Sequence, residues 1–222
     1  RTLSQKISEK LGQTLVVENR PGSSGNLGAD LVAKSPADGY TLVLMDVGNL
    51  VISPALFKLP FNVEKDFAPV AMVAYSPHLL AVSTKVPANT PAELVAYARA
   101  NPGKLTYASA GNGSGQHILA AALWHLAGVQ LTHVPYRGAQ PAYTDLLGAR
   151  VDLFFDLSST ARPHVDAGSV KPLAVSGAAR LPIHPNVPTL RETGVAPLEL
   201  ESWFGYFAPA KTPTAELNRL PT

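Results

Sequence analysis

The chain has 222 residues, of which 46% are hydrophobic, so it can bury the core of one large domain or two small ones. With 18 lysines and arginines against 16 aspartates and glutamates, the net charge of +2 gives no reason to expect a nucleic-acid partner. The absence of cysteine excludes disulfides, thiol catalysis and cysteine-bound metals, and no apolar run is long enough for a membrane span.

The first part of the sequence contains helix and strand patterns separated by turn residues. Residues 1–12 predict an amphipathic helix, because Leu3, Ile7 and Leu11 recur on one face. The other elements predicted here are a strand at 14–18, a helix at 27–34 and a strand at 40–45. The last of these is an apolar run, which is typical of a strand buried on both faces of a parallel sheet. Both chain ends fall inside helical patterns, so we expect the natural protein to be longer.

The rest of the sequence shows a boundary followed by a regular alternation of elements. Two apolar runs flank Ser76-Pro77, and the proline-rich segment 86–91 predicts a boundary between two units. Beyond it the predicted helices are 91–100 (capped by Thr90), 114–127, 139–147 and 159–167, and the predicted strands are 105–108, 131–134, 151–155 and 171–176. This alternation favours a parallel, doubly wound sheet. The aromatic segment 199–207 is expected to return to the first unit.

A glycine-rich loop, Ser109–His117, lies between a predicted strand and a predicted helix. Unpaired N–H groups and the positive end of the helix dipole attract anions at such a point. We interpret the loop as a cradle for a small carboxylate; the alternative is an ordinary strand-to-helix turn. Gln116 stands where a dinucleotide fingerprint needs its third glycine, and the sequence has neither a Walker lysine motif nor a nucleophile elbow here.

Two α/β units joined by connecting segments are expected to leave a cleft between them, and ligands are expected at the carboxyl ends of the strands. The loops that meet this rule are 19–26, 46–49, 109–117 and 135–138. Asp156 ends another predicted strand and is expected at the same rim.

Five sets of residues, in order along the chain, carry a resemblance to one family. They are Val17–Gly22 with Gly25–Gly28, Ala37–Leu42, Tyr107–His117, His133–Gly138 and Ser202–Gly205. Together they resemble the tripartite tricarboxylate transporter receptors, the Bug-type periplasmic solute-binding proteins, over essentially the whole chain. The resemblance implies two doubly wound α/β lobes with a ligand cleft between them, the type II periplasmic binding fold. We expect residues 1–86 and 200–222 in lobe 1, incomplete at both chain ends, and residues 87–199 in lobe 2.

The resemblance also implies a binding function without chemistry of its own. Such receptors hold a small carboxylate, for example a di- or tricarboxylate, an amino acid or an aromatic acid, and pass it to the permease subunits of a membrane transporter. We therefore expect a periplasmic monomer with no cofactor, no metal and no catalytic residue, although this sequence contains no signal peptide. The family often binds its carboxylate through backbone amides and ordered water, which suits a cradle without lysine or arginine.

The candidate ligand-binding residues combine the loops with the family resemblance. They are Gly22, Ser24, Asp46, Asn49, Ser109, Asn112, Gly113, Ser114, Gly115, Arg137, Gly138 and Asp156. Those between 109 and 115 match the second-lobe anion loop of the family. Asp46 and Asn49 depart from the family, where small residues and a histidine are more usual, and the identity of the acid is therefore open. A carboxylate introduced by Gly113→Asp is expected to lower affinity at least about tenfold with the fold intact.

Several of these side chains also have other interpretations. Arg137 suits a solvated surface position, and Asp156 can cap the following helix or accept an amine or hydroxyl from a ligand. Asp152 and Asp156 lie on one strand face like a catalytic pair, but no nucleophile or metal cluster accompanies them. The alternative functions are a small α/β enzyme acting on a carboxylate or phosphate ester, with Asp156 as base and 111–115 as oxyanion site, and a ligand sensor for a signalling partner.

Overall fold

The computed structural model describes residues 2–220, which form a mixed α/β structure. Its helices are α1 (Thr2–Leu11), α2 (Asn26–Ala33), α3 (Ser53–Leu56), α4 (Val63–Asp66), α5 (Pro91–Ala100), α6 (Gly115–Leu126), α7 (Ala139–Leu147), α8 (Ser158–Asp166), α9 (Leu190–Thr193) and α10 (Thr214–Arg219). Its strands are β1 (Val43–Asp46), β2 (Phe67–Ser83), β3 (Thr106–Ser109), β4 (Thr132–Pro135), β5 (Leu153–Leu157), β6 (Val170–Val175) and β7 (Glu201–Pro209). None of the helices within residues 2–220 has both the length and the apolar character needed to cross a bilayer.

The long strand β2 connects two sheets. Its first part, Phe67–Pro77, pairs antiparallel with β7, which also pairs with β1. Its last part, His78–Ser83, pairs antiparallel with β5 and β6. The first sheet therefore has the order β1-β7-β2, and the second has the order β6-β2-β5-β3-β4. The predicted return of the aromatic segment 199–207 to the first unit is confirmed, because β7 lies in the first sheet.

The second sheet is mixed rather than wholly parallel. The four strands predicted as a parallel set do run in one direction: β3 is parallel to β4 and β5, and β5 and β6 are both antiparallel to β2. The sequence pattern failed to predict that β2 lies between β5 and β6 and runs the opposite way. An apolar run indicates that a strand is buried, but it carries no information on direction.

Helices cover both faces of the second sheet, and alternate residues of its central strands face opposite sides. Leu80 and Phe155 belong to the core under α5 and α6, whereas Leu79 and Phe154 belong to the core under α7 and α8. The bounds predicted for α5 and α7 are confirmed. The predicted cap of α5 is also confirmed, since the Thr90 hydroxyl accepts a hydrogen bond of 3.2 Å from the third amide of the helix.

Two strand predictions in the first sheet are wrong. Residues 14–18 form no strand, and Val16 is 85% exposed. A β-strand needs a partner strand to satisfy its backbone, and no described strand pairs with this segment. The strand predicted at 40–45 begins only at Val43. Among the described strands it pairs only with β7, antiparallel, at the edge of the sheet, so Leu44 is half exposed instead of buried.

Candidate functional site

Two adjoining cavities lie between loops of the first sheet and loops of the second. Their volumes are about 300 Å³ and about 490 Å³. Eight of the twelve candidate ligand residues line one or both: Gly22, Ser24, Asp46, Asn49, Asn112, Ser114, Arg137 and Gly138. The four loops that the sequence assigned to the site therefore meet here. The other four candidates line neither cavity, and their positions are described below.

The two sides of the cleft touch each other at its rim. The Ser24 hydroxyl donates a hydrogen bond of 2.7 Å to the carbonyl oxygen of Asn112. Beside this bond Gly113 packs so closely on Phe57 that a Cβ at position 113 would lie 2.6 Å from the Phe57 Cε2 atom. Gly113 also has φ +79°, a conformation that favours glycine. Gly113 therefore supports contact between the two sides of the cleft, and its substitution would do more than add a charge.

The N-terminus of α6 supplies the anion-attracting end that the sequence predicted. Ser114 is its N-cap and accepts a hydrogen bond of 3.2 Å from the His117 amide. The Gly115 and Gln116 amides, the first two of the helix, have no hydrogen-bond partner among the described residues. Ser114 and Gln116 line the 300 Å³ cavity. The positive end of a 12-residue helix, with Ser114 and Gln116, thus lies at the cavity wall, while Gly115 lies between them and lines neither cavity.

Asp46 ends β1 and lines the same cavity from the side of the first sheet. Its Oδ1 atom accepts a hydrogen bond of 3.2 Å from the Asn49 amide. A Cβ on Gly48 would lie 2.9 Å from this oxygen and 3.4 Å from the Gly115 nitrogen, so Asp46 lies close to the start of α6. Burial raises the pKa of the Asp46 carboxyl, although hydrogen bonds from nearby amides oppose that effect. The cavity therefore contains a partly desolvated acid.

Asn49 lines the cavity, but its amide group is used by the protein. Its Nδ2 atom donates to the Ser24 carbonyl oxygen at 2.9 Å and to the Asn26 Oδ1 atom at 3.0 Å. Asn26 in turn donates to the Ser53 hydroxyl at 3.0 Å. These buried contacts fix the loop that carries Gly22 and Ser24, so we assign Asn49 to positioning that loop.

Ser109 is buried beneath the glycine loop and lines neither cavity. Its hydroxyl lies 2.7 Å from the His133 Nε2 atom and accepts a bond from the Gly111 amide. His117 stacks on His133 with ring centroids 4.0 Å apart, and its Nδ1 atom accepts a bond from the Gly113 amide. Burial lowers the pKa of both histidines, that of His133 to about 4 with a further contribution from His117. These neutral rings support the loop from behind.

Asp156 also lies behind the cavity wall and is fully buried at the end of β5. Its Oδ1 atom accepts a hydrogen bond of 3.1 Å from the Gln116 side chain, and burial raises its pKa to about 6. The expectation that it reaches the rim as a ligand residue finds no support in this position. Asp152 bonds instead to the Thr106 amide and hydroxyl at the other end of the strand, about 13 Å away for extended backbone. The two carboxylates therefore form no pair.

A polar cluster marks the point where the chain passes between the sheets. The His78 amide donates to the Ser176 hydroxyl at 2.8 Å, and that hydroxyl donates to the Leu200 carbonyl oxygen. The His78 ring lies 3.5 Å from the Ser202 hydroxyl, and burial lowers its pKa to about 4. Gly115 packs against the His78 and Ser202 side chains, so the point where the chain passes between the sheets lies directly beneath the start of α6.

Sequence reasoning missed several residues of the cleft. Gln116 lines the smaller cavity and reaches Asp156, while Leu157 and Phe204 complete its wall. Phe57 closes the rim against Gly113. The sequence could have predicted Gln116, because the second residue of a helix that begins at a ligand-binding loop faces the same space as the N-cap residue. Within residues 2–220 no group of three or more histidine or acidic side chains is placed to hold a metal ion.

Comparison with other proteins gives a consistent result. The family model of TctC, the tripartite tricarboxylate transporter family receptor, matches residues 1–222. A protein encoded in the tcbD-tcbE intergenic region of a Pseudomonas species is 41% identical over 221 residues, which are 99% of this chain and 66% of that protein. The chain thus spans just under two thirds of the length of this relative.

Solved structures resemble this chain along almost its entire length. A protein of R. palustris with adipate is 38% identical, with a TM-score of 0.93 over 99% of this chain and 74% of that chain. MatC from Rhodopseudomonas palustris with bound malate is 34% identical, with a TM-score of 0.93 over 98% and 74%. The periplasmic binding protein BugD is 35% identical, with a TM-score of 0.95 over 99% and 74%. The chain has the periplasmic binding protein fold and belongs to the tripartite tricarboxylate transporter receptor family, TctC.

Proposed function

We propose that the chain is a solute-binding receptor that holds a small carboxylate in the 300 Å³ cavity. The observation that carries the proposal is the start of α6, where Ser114 and Gln116 line the cavity and two amides lack partners. Arg137 lines the same cavity and has no ion-pair partner among the described residues. Free amides, a helix N-terminus and a guanidinium together favour an anion. The similar structures with adipate and with bound malate agree with this class of ligand.

The proposal includes two lobes that close on the ligand. We propose residues 1–77 with 200–222 as lobe 1 and residues 78–199 as lobe 2. The first boundary thus differs from the one predicted from the sequence, after residue 86, because β2 changes its partner strands between Pro77 and His78. Residues 1, 221 and 222 lie outside the described residues. The cavity is lined from both lobes, so a ligand that contacts both stabilises the closed form. The closed receptor then delivers its acid to permease subunits from the periplasm, as a monomer and without a cofactor.

The proposed affinity follows from the donors in the cleft. A few charge-assisted hydrogen bonds contribute about 1.5–3 kcal/mol each, and with burial in a closed cleft they reach about −8 kcal/mol. That free energy corresponds to a Kd of about 1 µM. No catalytic role is proposed, because Asp156, the base of the enzymatic alternative, lines neither cavity. Transport is preferred to sensing because the family consists of transporter receptors.

The test is calorimetry of the full-length protein against a panel of small mono- and dicarboxylates. Arg137→Gln should weaken the best ligand by about tenfold, the loss of one charge-assisted bond. Arg150→Gln is the matched control, because Arg150 is an exposed arginine of the same lobe whose partner is Asp145 on α7. It should leave the affinity unchanged. A folded protein that binds no acid in the panel would refute the proposal.

A further inference from the structure

The 300 Å³ cavity is lined by two side chains of opposite charge. Asp46 reaches it from the first lobe and Arg137 from the second. Neither forms an ion pair with the other or with any other described residue. Opposite charges that line one cavity without pairing are complementary to a ligand that carries both signs.

The other carboxylates near the cleft are either paired with a cation or buried away from the cavity. Asp30 lines the larger cavity and is paired with Lys34 at 2.6 Å. Asp156 is buried behind Gln116 and has no access to the cavity. Asp46 is held by the Asn49 amide through one oxygen, and no cationic side chain neutralises it. The carboxylate that faces the ligand is therefore Asp46.

A simple dicarboxylate fits this cavity poorly. Asp46 lies beside the start of α6, the same positive end that a bound carboxylate would use. A dianion would thus bring a second negative charge toward a partly desolvated first one, and like charges in such a site repel strongly. An ammonium group on the ligand replaces that repulsion by attraction.

We propose that Asp46 is the specificity-determining residue of this cleft and that it selects acids that also carry an ammonium group, that is, amino acids. Asp46 accepts from the ammonium group, while Arg137 and the start of α6 hold the carboxylate. The inference rests on the proposed function and narrows its ligand class.

The test uses ligands that differ only at carbon two. Alanine, lactate and propionate carry an ammonium, a hydroxyl and a hydrogen there, and aspartate, malate and succinate repeat the series on a dicarboxylate. In calorimetry the amino member of at least one series should bind at least about tenfold tighter than its partners. Asp46→Asn keeps an oxygen for the Asn49 amide and removes the charge. It should abolish that preference by weakening the amino member at least about tenfold.

Asp30→Asn is the matched control, because it removes a carboxylate from the neighbouring cavity, and it should leave the preference intact. Thermal unfolding checks that each variant folds, and Asp46→Ser replaces Asp46→Asn if that variant does not. The inference is wrong, and the receptor function stands, if acids bind but the amino members bind no tighter than their partners. The same holds if the amino members bind tighter than their partners in the Asp46 variant as well. If no acid binds, both are wrong.

Discussion

The hydroxyl of Ser24 donates a 2.7 Å hydrogen bond to the carbonyl oxygen of Asn112, a residue 88 positions further along the chain. This bond joins the loop before α2 to the glycine loop before α6, and both loops line the two cavities. In the proposed receptor, which closes two lobes on its ligand, this bond forms only in the closed cleft. Its contribution therefore belongs to closure and binding more than to the stability of either lobe.

Ser24→Ala should weaken the best-bound acid about 2- to 10-fold, because a typical hydrogen bond contributes about 0.5–1.5 kcal/mol net. The melting temperature of the ligand-free protein should change little. Ser23→Ala is the matched control: Ser23 is the neighbouring residue, shares the positive φ, and its side chain forms no bond to the second lobe. Calorimetry on both variants checks the prediction. Equal losses in the two would show that the loop conformation, not the bond, matters.

Gly113 provides a second test of closure, and here the structure changes a prediction made from the sequence. Gly113→Asp was expected to lower affinity through charge alone with the fold intact. Because a Cβ would meet Phe57 at 2.6 Å, even Gly113→Ala should hold the lobes apart and weaken binding at least about tenfold. Gly103→Ala is the control for the backbone cost alone, since Gly103 has φ +70° and open space around it.

A double variant distinguishes the clash from other causes. Phe57→Ala removes the ring that the new methyl group would meet, so the pair Gly113→Ala with Phe57→Ala should bind better than Gly113→Ala alone. Calorimetry of the four combinations gives the coupling. Additive losses would mean that Gly113 acts through its backbone and not through contact with Phe57.

Elements governed by local sequence were predicted well, and elements governed by tertiary contacts were not. Thr90 and Pro91 determine the start of α5 locally, so its bounds followed from the sequence. The direction of β2 and the lack of a partner for residues 14–18 depend on pairing between distant segments, which periodicity does not contain. The same limit applies to the site. Asp46 is the last residue of β1 and Asp156 the last but one of β5, yet Asp46 lines a cavity and Asp156 is buried behind Gln116.

The buried His78 should make stability depend on pH. Its pKa is about 4 in the folded chain, below the ordinary 6.5. Between these values the unfolded chain binds a proton that the folded chain does not, so stability should fall as the pH falls from 6.5 toward 4. From pH 7 to pH 5 the loss from this residue is on the order of 1–2 kcal/mol. His133 acts in the same direction, whereas the raised pKa values of Asp46 and Asp156 act against it.

Urea unfolding at several pH values isolates the His78 contribution by comparison with His78→Gln. The readout is the difference between the two pH profiles, because the substitution itself changes the absolute stability. The wild type should lose more stability on acidification than the variant. His125→Gln, at an exposed position on α6, is the control and should keep the wild-type profile. Parallel profiles for the wild type and His78→Gln would rule out this source of pH dependence.

Asp156→Asn should stabilise the protein at alkaline pH and leave binding unchanged. The pKa of Asp156 is about 6 when folded and 3.8 ordinarily, so between these values the folded chain keeps a proton that the unfolded chain has lost. Its contribution to stability therefore falls as the pH rises through this window, and above it the fold contains a buried charge. Asparagine can still accept from Gln116 and carries no charge. At pH 8 the gain should be on the order of 1–3 kcal/mol, and below about pH 4 it should disappear.

Asp152→Asn is the matched control on the same segment, and its effect on stability should have the opposite sign: it should destabilise the protein. The Asp152 carboxylate accepts from the Thr106 amide and hydroxyl at 2.8 and 2.9 Å, so Asp152→Asn replaces two charge-assisted bonds by weaker neutral ones. Urea unfolding at pH 4 and pH 8 measures both variants, and calorimetry measures their affinity for the best acid. An Asp156→Asn protein that is folded but binds at least tenfold more weakly would show that Asp156 acts on the ligand after all, against its position behind Gln116.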